Sequence, residues 1–437
     1  MKKFRLPKNP GESLYMSGEI DSFHVDSIKT ADLIDTIALP QETSGEIIRI
    51  VLYSHDTMGL GHIRRNLLIA QALTRSDANV DILLVTGSRE VGSFPIPANV
   101  DCLVLPSLYK KKNGQYRSRY LRTSLRDVIS LRSKILSAAI IDFEPDVLIA
   151  DNVACGALCE LKPVLEYLHS NTDTQLILGL RDICDTPAAV RHDWHKHGTE
   201  EVLRRYYDEI WVYGDPAVYD PTVEYDFPAD VAAKIRFTGY LDQRDRPSLD
   251  QKPCSDTPYI LCMVGGGQDG AQLAETFVET ELPDGLQGVL LCGPHMEERT
   301  RQQLHYRAGQ NNNLTVIDFL PEPGKLIQEA EAIVCMGGYN SVCEALSYNK
   351  RTLIVPRVQP RQEQLIRAQK LAELNITNML HPDRLHPGAM NEHIHKMMAT
   401  PQTDVHDQVD FGGLRRLPDL LTELLSPASG KLLCNSR

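Results

Sequence analysis

Residues 47–74 read IIRIVLYSHDTMGLGHIRRNLLIAQALT. An apolar run leads into two glycines, Gly59 and Gly61, and a helix-like run leads out of them. Strand, glycine-bearing loop and helix form the opening unit of a Rossmann-like fold, whose ligands lie beyond the carboxyl ends of the strands. Glycine removes side chains where something must approach the backbone. His62 stands beside that opening.

The same pattern recurs along the chain. Strand-like runs lie at 47–54, 80–87, 101–106, 145–151, 175–182 and 209–215, with helical patterns between them. They are almost continuously apolar, as strands covered on both faces must be. After a polar, Pro- and Asp-rich stretch at 241–258, read as a linker, the alternation restarts with runs at 259–267, 288–294, 314–319, 332–338 and 351–356. The expected architecture is α/β: two Rossmann-like domains with parallel sheets facing a central cleft. Residues 46–245 would form the first domain and 255–405 the second. Residues 1–45 read as an extension, and 406–437 as a helix and tail that pack back on the first domain.

The bulk numbers narrow the class. The chain has 437 residues, 42% of them hydrophobic and 24% charged, which fits a folded protein with a sizeable core. A net charge of −12 argues against a nucleic-acid partner. The ten cysteines include no C-x-x-C pair, and the N-terminal MKKFRLPKNPGESLYM has no apolar signal stretch. A reduced, cytoplasmic protein without a zinc site is expected.

The loops exclude several chemistries. A dinucleotide fingerprint wants a third glycine at 64, where arginine stands, and an acid after the second strand, where Thr86, Gly87 and Ser88 stand. No G-x-x-x-x-G-K-[ST] and no D-x-D occurs. His192, His195 and His197 have metal-like spacing, but they sit in a charged helical run, so no metal is assigned.

What remains is anion binding by backbone. Residues 263–270, MVGGGQDG, and 336–341, MGGYNS, each place glycines at the start of a helix. The partial positive charge there favours a diphosphate without a metal. Glu344 follows in the next turn and can accept from a ribose diol; Ser341 and Glu344 also have the spacing of a capping box. Arg361, Glu363 and Gln364 begin another helix at the same sheet edge.

These motifs together, S-H-D-T-M-G59-L-G61-H62-x-x-R65, M-G337-G338-Y-N340-S341-V-C-E344 and R361-Q-E363-Q364-x-x-R367, resemble GT-B glycosyltransferases of family 28 and a bacterial branch of that group. The resemblance covers most of residues 47–400, and its C-terminal motifs are the more specific. It implies inverting, metal-independent transfer from a UDP-sugar co-substrate. Carried over by position, it implies that Glu344 holds the ribose and that Gly337, Gly338, Asn340 and Ser341 lie along the diphosphate. Glu363 and Gln364 would then contact the sugar, and Gly265, Gly266 and Gly267 would face phosphate and uracil. Two departures set the chain apart from the family's peptidoglycan enzyme: a shorter glycine run before the histidine, and Met336 where an arginine is expected.

Inverting transfer needs a base for the acceptor hydroxyl. His62 is the first candidate, because histidine's ordinary pKa of about 6.5 suits proton transfer near neutral pH. Asp56 would orient it or replace it, and a His62 that merely caps the following helix is the competing reading. Gly59, Gly61, Arg65, Asp151, Asn152, Arg181 and Asp182 lie at strand ends expected on the acceptor side, where ion pairs or caps would explain the charged ones equally well. Residues 109–134 carry nine Lys or Arg and one acid, Asp127, a local charge reversal suited to a membrane surface or a lipid-linked acceptor. A saccharide chain is the other acceptor class. Two further functions compete: a UDP-sugar 2-epimerase or hydrolase of the same fold, and a non-catalytic nucleotide-sugar-binding subunit.

Overall fold

The computed structural model describes residues 47–56, 60–110, 115–246 and 257–426. The first half contributes strands β1 (Ile48–Tyr53), β2 (Val80–Thr86), β3 (Val100–Val104), β4 (Leu108–Lys110), β5 (Tyr116–Ser118), β6 (Val147–Asp151), β7 (Gln175–Arg181), β8 (Glu209–Tyr213) and β9 (Ile235–Phe237). The second contributes β10 (Tyr259–Met263), β11 (Gln287–Leu291), β12 (Leu314–Ile317), β13 (Ala332–Cys335), β14 (Arg351–Ile354) and β15 (Asn378–Met379).

The strands build a seven-stranded sheet ordered β3-β2-β1-β6-β7-β8-β9 and a six-stranded sheet ordered β12-β11-β10-β13-β14-β15. Every pairing within both is parallel, with Ile48 beside Val80 and Tyr259 beside Gln287 at the start of the registers. Ile50, Val51, Leu52 and Tyr53 of β1 are wholly buried, which is why both faces of the strand had to be apolar. Strand order reverses beside β1 in one sheet and beside β10 in the other. Crevices open at such switch points. The loops after β1, β6, β10 and β13 border them, and these loops hold most of the candidate residues.

Five helices position the site and are labelled in chain order: α1 (Gly61–Thr74), α2 (Leu125–Phe143), α3 (Tyr339–Ser347), α4 (Glu363–Glu373) and α5 (Gly413–Leu425). One apolar core runs through both halves. Ile63 and Leu67 of α1 join Val342 and Leu346 of α3 and Leu414, Leu417 and Leu421 of α5. Helix α5 thus lies on α1 of the first half. Among the described residues no helix is long and apolar enough to cross a membrane.

Two readings need correction. Residues 241–246 of the expected linker are part of the fold. Leu241 bridges Gly412, and Gln243 is buried with its N–H on Ser347 Oγ, 2.9 Å away. Gln243 and Arg246 are buried in such hydrogen bonds, while Arg244 and Asp245 are exposed. The hairpin β4–β5 and the short strands β9 and β15 are too brief to show a period. The capping box is absent: α3 starts at Tyr339, two residues before Ser341, because Gly337 takes φ +85° and extended Gly338 becomes the N-cap. Residues 1–46 and 427–437 lie outside the described residues.

Candidate active site

Helix α1 opens at Gly61 without a side-chain cap, so His62 does not cap it. Its ring reaches across to β6 instead. His62 Nδ1 lies 2.7 Å from Asp151 Oδ2. A carboxylate at that distance assigns the proton to Nδ1 and leaves Nε2 as the basic nitrogen. Arg65, one turn further along α1, grips the same carboxylate at 2.6 and 2.7 Å. Burial by itself would push the Asp151 carboxyl up, but Arg65 and His62 hold it far below its ordinary value. Arg65 also lies over the rings of Tyr213 and Tyr339, 5.8 and 5.4 Å from their centroids. Tyr213 belongs to the first half and Tyr339 to the second, so this cluster sits where the halves meet.

Asp56 does different work. Its Oδ2 accepts from Ser54 Oγ at 2.6 Å, Thr86 Oγ1 at 2.5 Å and Gly87 N at 3.3 Å. It ties the end of β1 to the end of β2 and is held at φ +35°. The position beside His62 that Asp56 was expected to fill belongs to Asp151. Gly59 lies outside the described residues. Gly61 is in the site: its carbonyl accepts from Asn340 Nδ2 at 2.8 Å, joining the glycine loop of one sheet to that of the other.

The N-terminus of α3 bears no side-chain cap, and a Cβ at Gly338 would meet nothing within 4 Å. Backbone N–H groups of the first turn are therefore open to an anion. Ser341 lies in that turn. Gly337 is shaped by packing: a Cβ there would press on Ile354 at 2.9 Å, and its carbonyl accepts from Arg367 Nη1 at 2.8 Å. Glu344 is buried and has a partner no motif announces. Arg64 Nη2 of α1 stands 2.6 Å from Glu344 Oε1 and 3.4 Å from Glu322 Oε2. Burial would discharge Arg64, but the two carboxylates keep it charged.

The loop after β10 divides in role. Gly265 is exposed at φ +61° with open space beside it, and Gly266 is half-buried. Gly267 is packed: a Cβ would lie 2.7 Å from the Cys292 carbonyl. Arg357, in the loop after β14, ties three predicted parts together. It meets Asp269 at 3.1 Å and Glu363 Oε1 at 2.5 Å, and its N–H donates to Gln364 Oε1 at 3.1 Å.

On the acceptor side, Asp182 is no open carboxylate. Arg367 of α4 binds it through Nε at 2.9 Å and Nη2 at 2.5 Å, and Tyr240 donates to it at 2.9 Å. This ion pair is fully buried between the halves. Asn152, in the left-handed region at φ +65°, accepts from Arg181 Nε at 3.4 Å. Within the basic stretch Arg132 is buried against Glu160 at 2.5 Å, so it belongs to the core. Arg117, Arg122, Arg126 and Lys134 are exposed, as are Tyr120 and Leu121 at 50% and 49%. Lys111 and Lys112 lie outside the described residues. His192, His195 and His197 line the exposed face of a helix, and no group of three or more metal-ligating side chains forms among the described residues.

Arg64, Glu322 and Arg357 escaped sequence reading, as did His295 and Arg119, which share a small cavity with Asp56 and Glu90. Burial and the nearby Arg119 hold His295 below its ordinary pKa. Each of these residues matters through a contact with the other half or a remote loop, for which no local pattern exists.

Residues 260–410 match the glycosyltransferase family 28 C-terminal domain. An uncharacterized glycosyltransferase of Methanosarcina mazei is 22% identical over 312 residues, covering 68% of this chain and 77% of that protein. The fold is similar to that of CalG4, the calicheamicin glycosyltransferase, with a TM-score of 0.57 at 15% identity over 88% of this chain and all of that one. It is also similar to the UDP-GlcNAc 2-epimerase of Methanocaldococcus jannaschii, with a TM-score of 0.55 at 12% identity, over 86% of this chain and all of that one. With parallel sheets on both sides of the cleft and the glycosyltransferase family 28 C-terminal domain over residues 260–410, the chain is a glycosyltransferase of GT-B fold.

Proposed function

We propose that the chain transfers a sugar from a UDP donor to an acceptor hydroxyl with inversion and without a metal. The observation that carries this reading is the Gly61–Asn340 hydrogen bond, which sets the Asp151-oriented imidazole of His62 beside the uncapped N-terminus of α3. A base and an anion site then stand on opposite sides of one cleft. In the reaction, the acceptor oxygen attacks the anomeric carbon from the face away from the diphosphate. Its proton passes to His62 Nε2 as the new C–O bond forms. The bond to the diphosphate breaks, and its electron pair leaves with the phosphate oxygen. Backbone N–H groups at α3 and the loop after β10 take up that charge as preorganised donors. The exposed Tyr120 and Leu121, with Arg117, Arg122 and Arg126 around them, support a lipid-linked acceptor met at a membrane surface.

Calorimetric titration of UDP, with and without EDTA and with ADP and NAD as controls, tests the donor. UDP binding that ignores EDTA and exceeds that of ADP and NAD is expected; preference for NAD or ADP overturns the reading. Incubation with UDP-N-acetylglucosamine alone separates the chemistry, since accumulation of its 2-epimer would make the protein an isomerase.

A paired substitution examines Glu344. If its carboxylate takes the ribose, the donor must replace Arg64 as its partner. Glu344→Ala should then weaken UDP binding by roughly tenfold, the loss of a charged hydrogen-bond pair. Arg64→Ala should bind UDP at least as well as the parent. Equal, unchanged UDP affinity in both variants would make the pair a tie between halves and nothing more.

A further inference from the structure

Among the described residues, most arginines in and beneath the cleft have an acid. Arg64 meets Glu344 at 2.6 Å, Arg65 meets Asp151 at 2.6 Å, Arg132 meets Glu160 at 2.5 Å, Arg357 meets Glu363 at 2.5 Å and Arg367 meets Asp182 at 2.5 Å. Arg181 ends β7, two strands from β1, and is half-buried. Its described polar contact is the Asn152 side chain at 3.4 Å, and no carboxylate of a described residue pairs with it. Burial works most against its charge, Glu363 attracts it without reaching ion-pair contact, and Arg65 and Arg367 repel it, so that on balance its pKa is held below the ordinary value. Across the cleft, Glu363 spends Oε1 on Arg357, while its buried Oε2 has no hydrogen-bond partner among the described residues.

A half-buried cation that closes no ion pair with a carboxylate is poised for a ligand that supplies one. The first half holds Arg181 in the same crevice as His62 and Asp151, whereas the donor loops belong to the second sheet. We propose that Arg181, with Asn152, is an anion subsite for the acceptor, so that the acceptor carries a phosphate ester or a carboxylate near its reacting hydroxyl, which Glu363 Oε2 faces from the other side. This rests on the transferase reading above, because it is the acceptor that must fill the first-half crevice. The guanidinium fork fits either oxyanion through two parallel N–H donors.

The test titrates methyl phosphate and, separately, glucuronate into the full chain saturated with UDP. At least one is expected to bind, and Arg181→Gln to weaken it about tenfold or more, as loss of a charged pair would. Arg181→Lys should keep part of the affinity, and both variants should hold UDP within about twofold, well short of losing one contact. Which probe binds tells phosphate from carboxylate. Without any ligand, Arg181→Gln is expected to melt no lower than the parent, since it removes a half-buried charge that closes no ion pair. The proposal is overturned if neither anion binds, if Arg181→Gln binds them as well as the parent, if it loses UDP together with them, or if it melts well below the parent. Should the parent fail to bind UDP, the titrations are repeated without it. Arg181-dependent anion binding would then keep the subsite while the donor reading falls.

Discussion

Replacing His62 with alanine is expected to lower kcat by about 10²–10⁴-fold, the usual contribution of a positioned base, and to leave UDP affinity unchanged. The reason is spatial. His62 stands on α1 with Nδ1 held by Asp151, and the donor's diphosphate is expected at α3 and the loop after β10. A single-turnover assay with UDP-sugar and a competent acceptor, alongside UDP calorimetry, separates the two effects. A variant with parental kcat would remove His62 from the chemistry. Asp151→Asn offers a second view, because it alters the group that orients the ring and also leaves Arg65 buried without a counter-charge. It should therefore lose stability as well as rate. The pH dependence has a definite sign. The folded-state pKa of Asp151 lies below its ordinary 3.8, so its contribution is complete above that value and is lost as pH falls through the lower folded pKa. The stability gap between parent and Asp151→Asn should be constant from pH 5 to 8, on this linkage argument, and narrow only in stronger acid.

Breaking the Asp182–Arg367 pair should have the largest effect on stability. Arg367→Met leaves Asp182 charged and buried, which costs about 3–5 kcal/mol. The double change Asp182→Asn with Arg367→Met should cost less than the two single changes added together, because neither charge is then stranded. Urea unfolding of the four proteins measures this. Strict additivity would show that the two side chains act independently despite their 2.5 Å contact. Arg367 also holds the Gly337 carbonyl, so the single variant should weaken UDP binding along with the fold. Here one residue couples the interface of the halves to the shape of the glycine loop before α3.

The parallel sheets were legible because buried strands must be apolar on both faces, and runs such as IIRIVLY at 47–53 and AIVC at 332–335 have no other stable use. Gly61 and His62 could be singled out for a similarly local reason: they stand at a strand–loop–helix join. Roles were harder to read. Asp56 lies six residues before His62 and reads as its partner, yet the ring turns to Asp151, 89 residues away in sequence. Ser341 and Glu344 read as a cap, yet α3 begins at Tyr339 and Glu344 finds Arg64 on another helix.

Local backbone and hydrophobic demands act between near neighbours, so the amino-acid sequence by itself determined the strands, the glycine loops and the order in which they recur. Charges act through space. Which acid each arginine meets depends on how two sheets and the helices between them come together. Tertiary structure alone decided that Asp151 orients His62, that Asp182 is consumed by Arg367, and that Arg181 closes no ion pair with a carboxylate of the described residues.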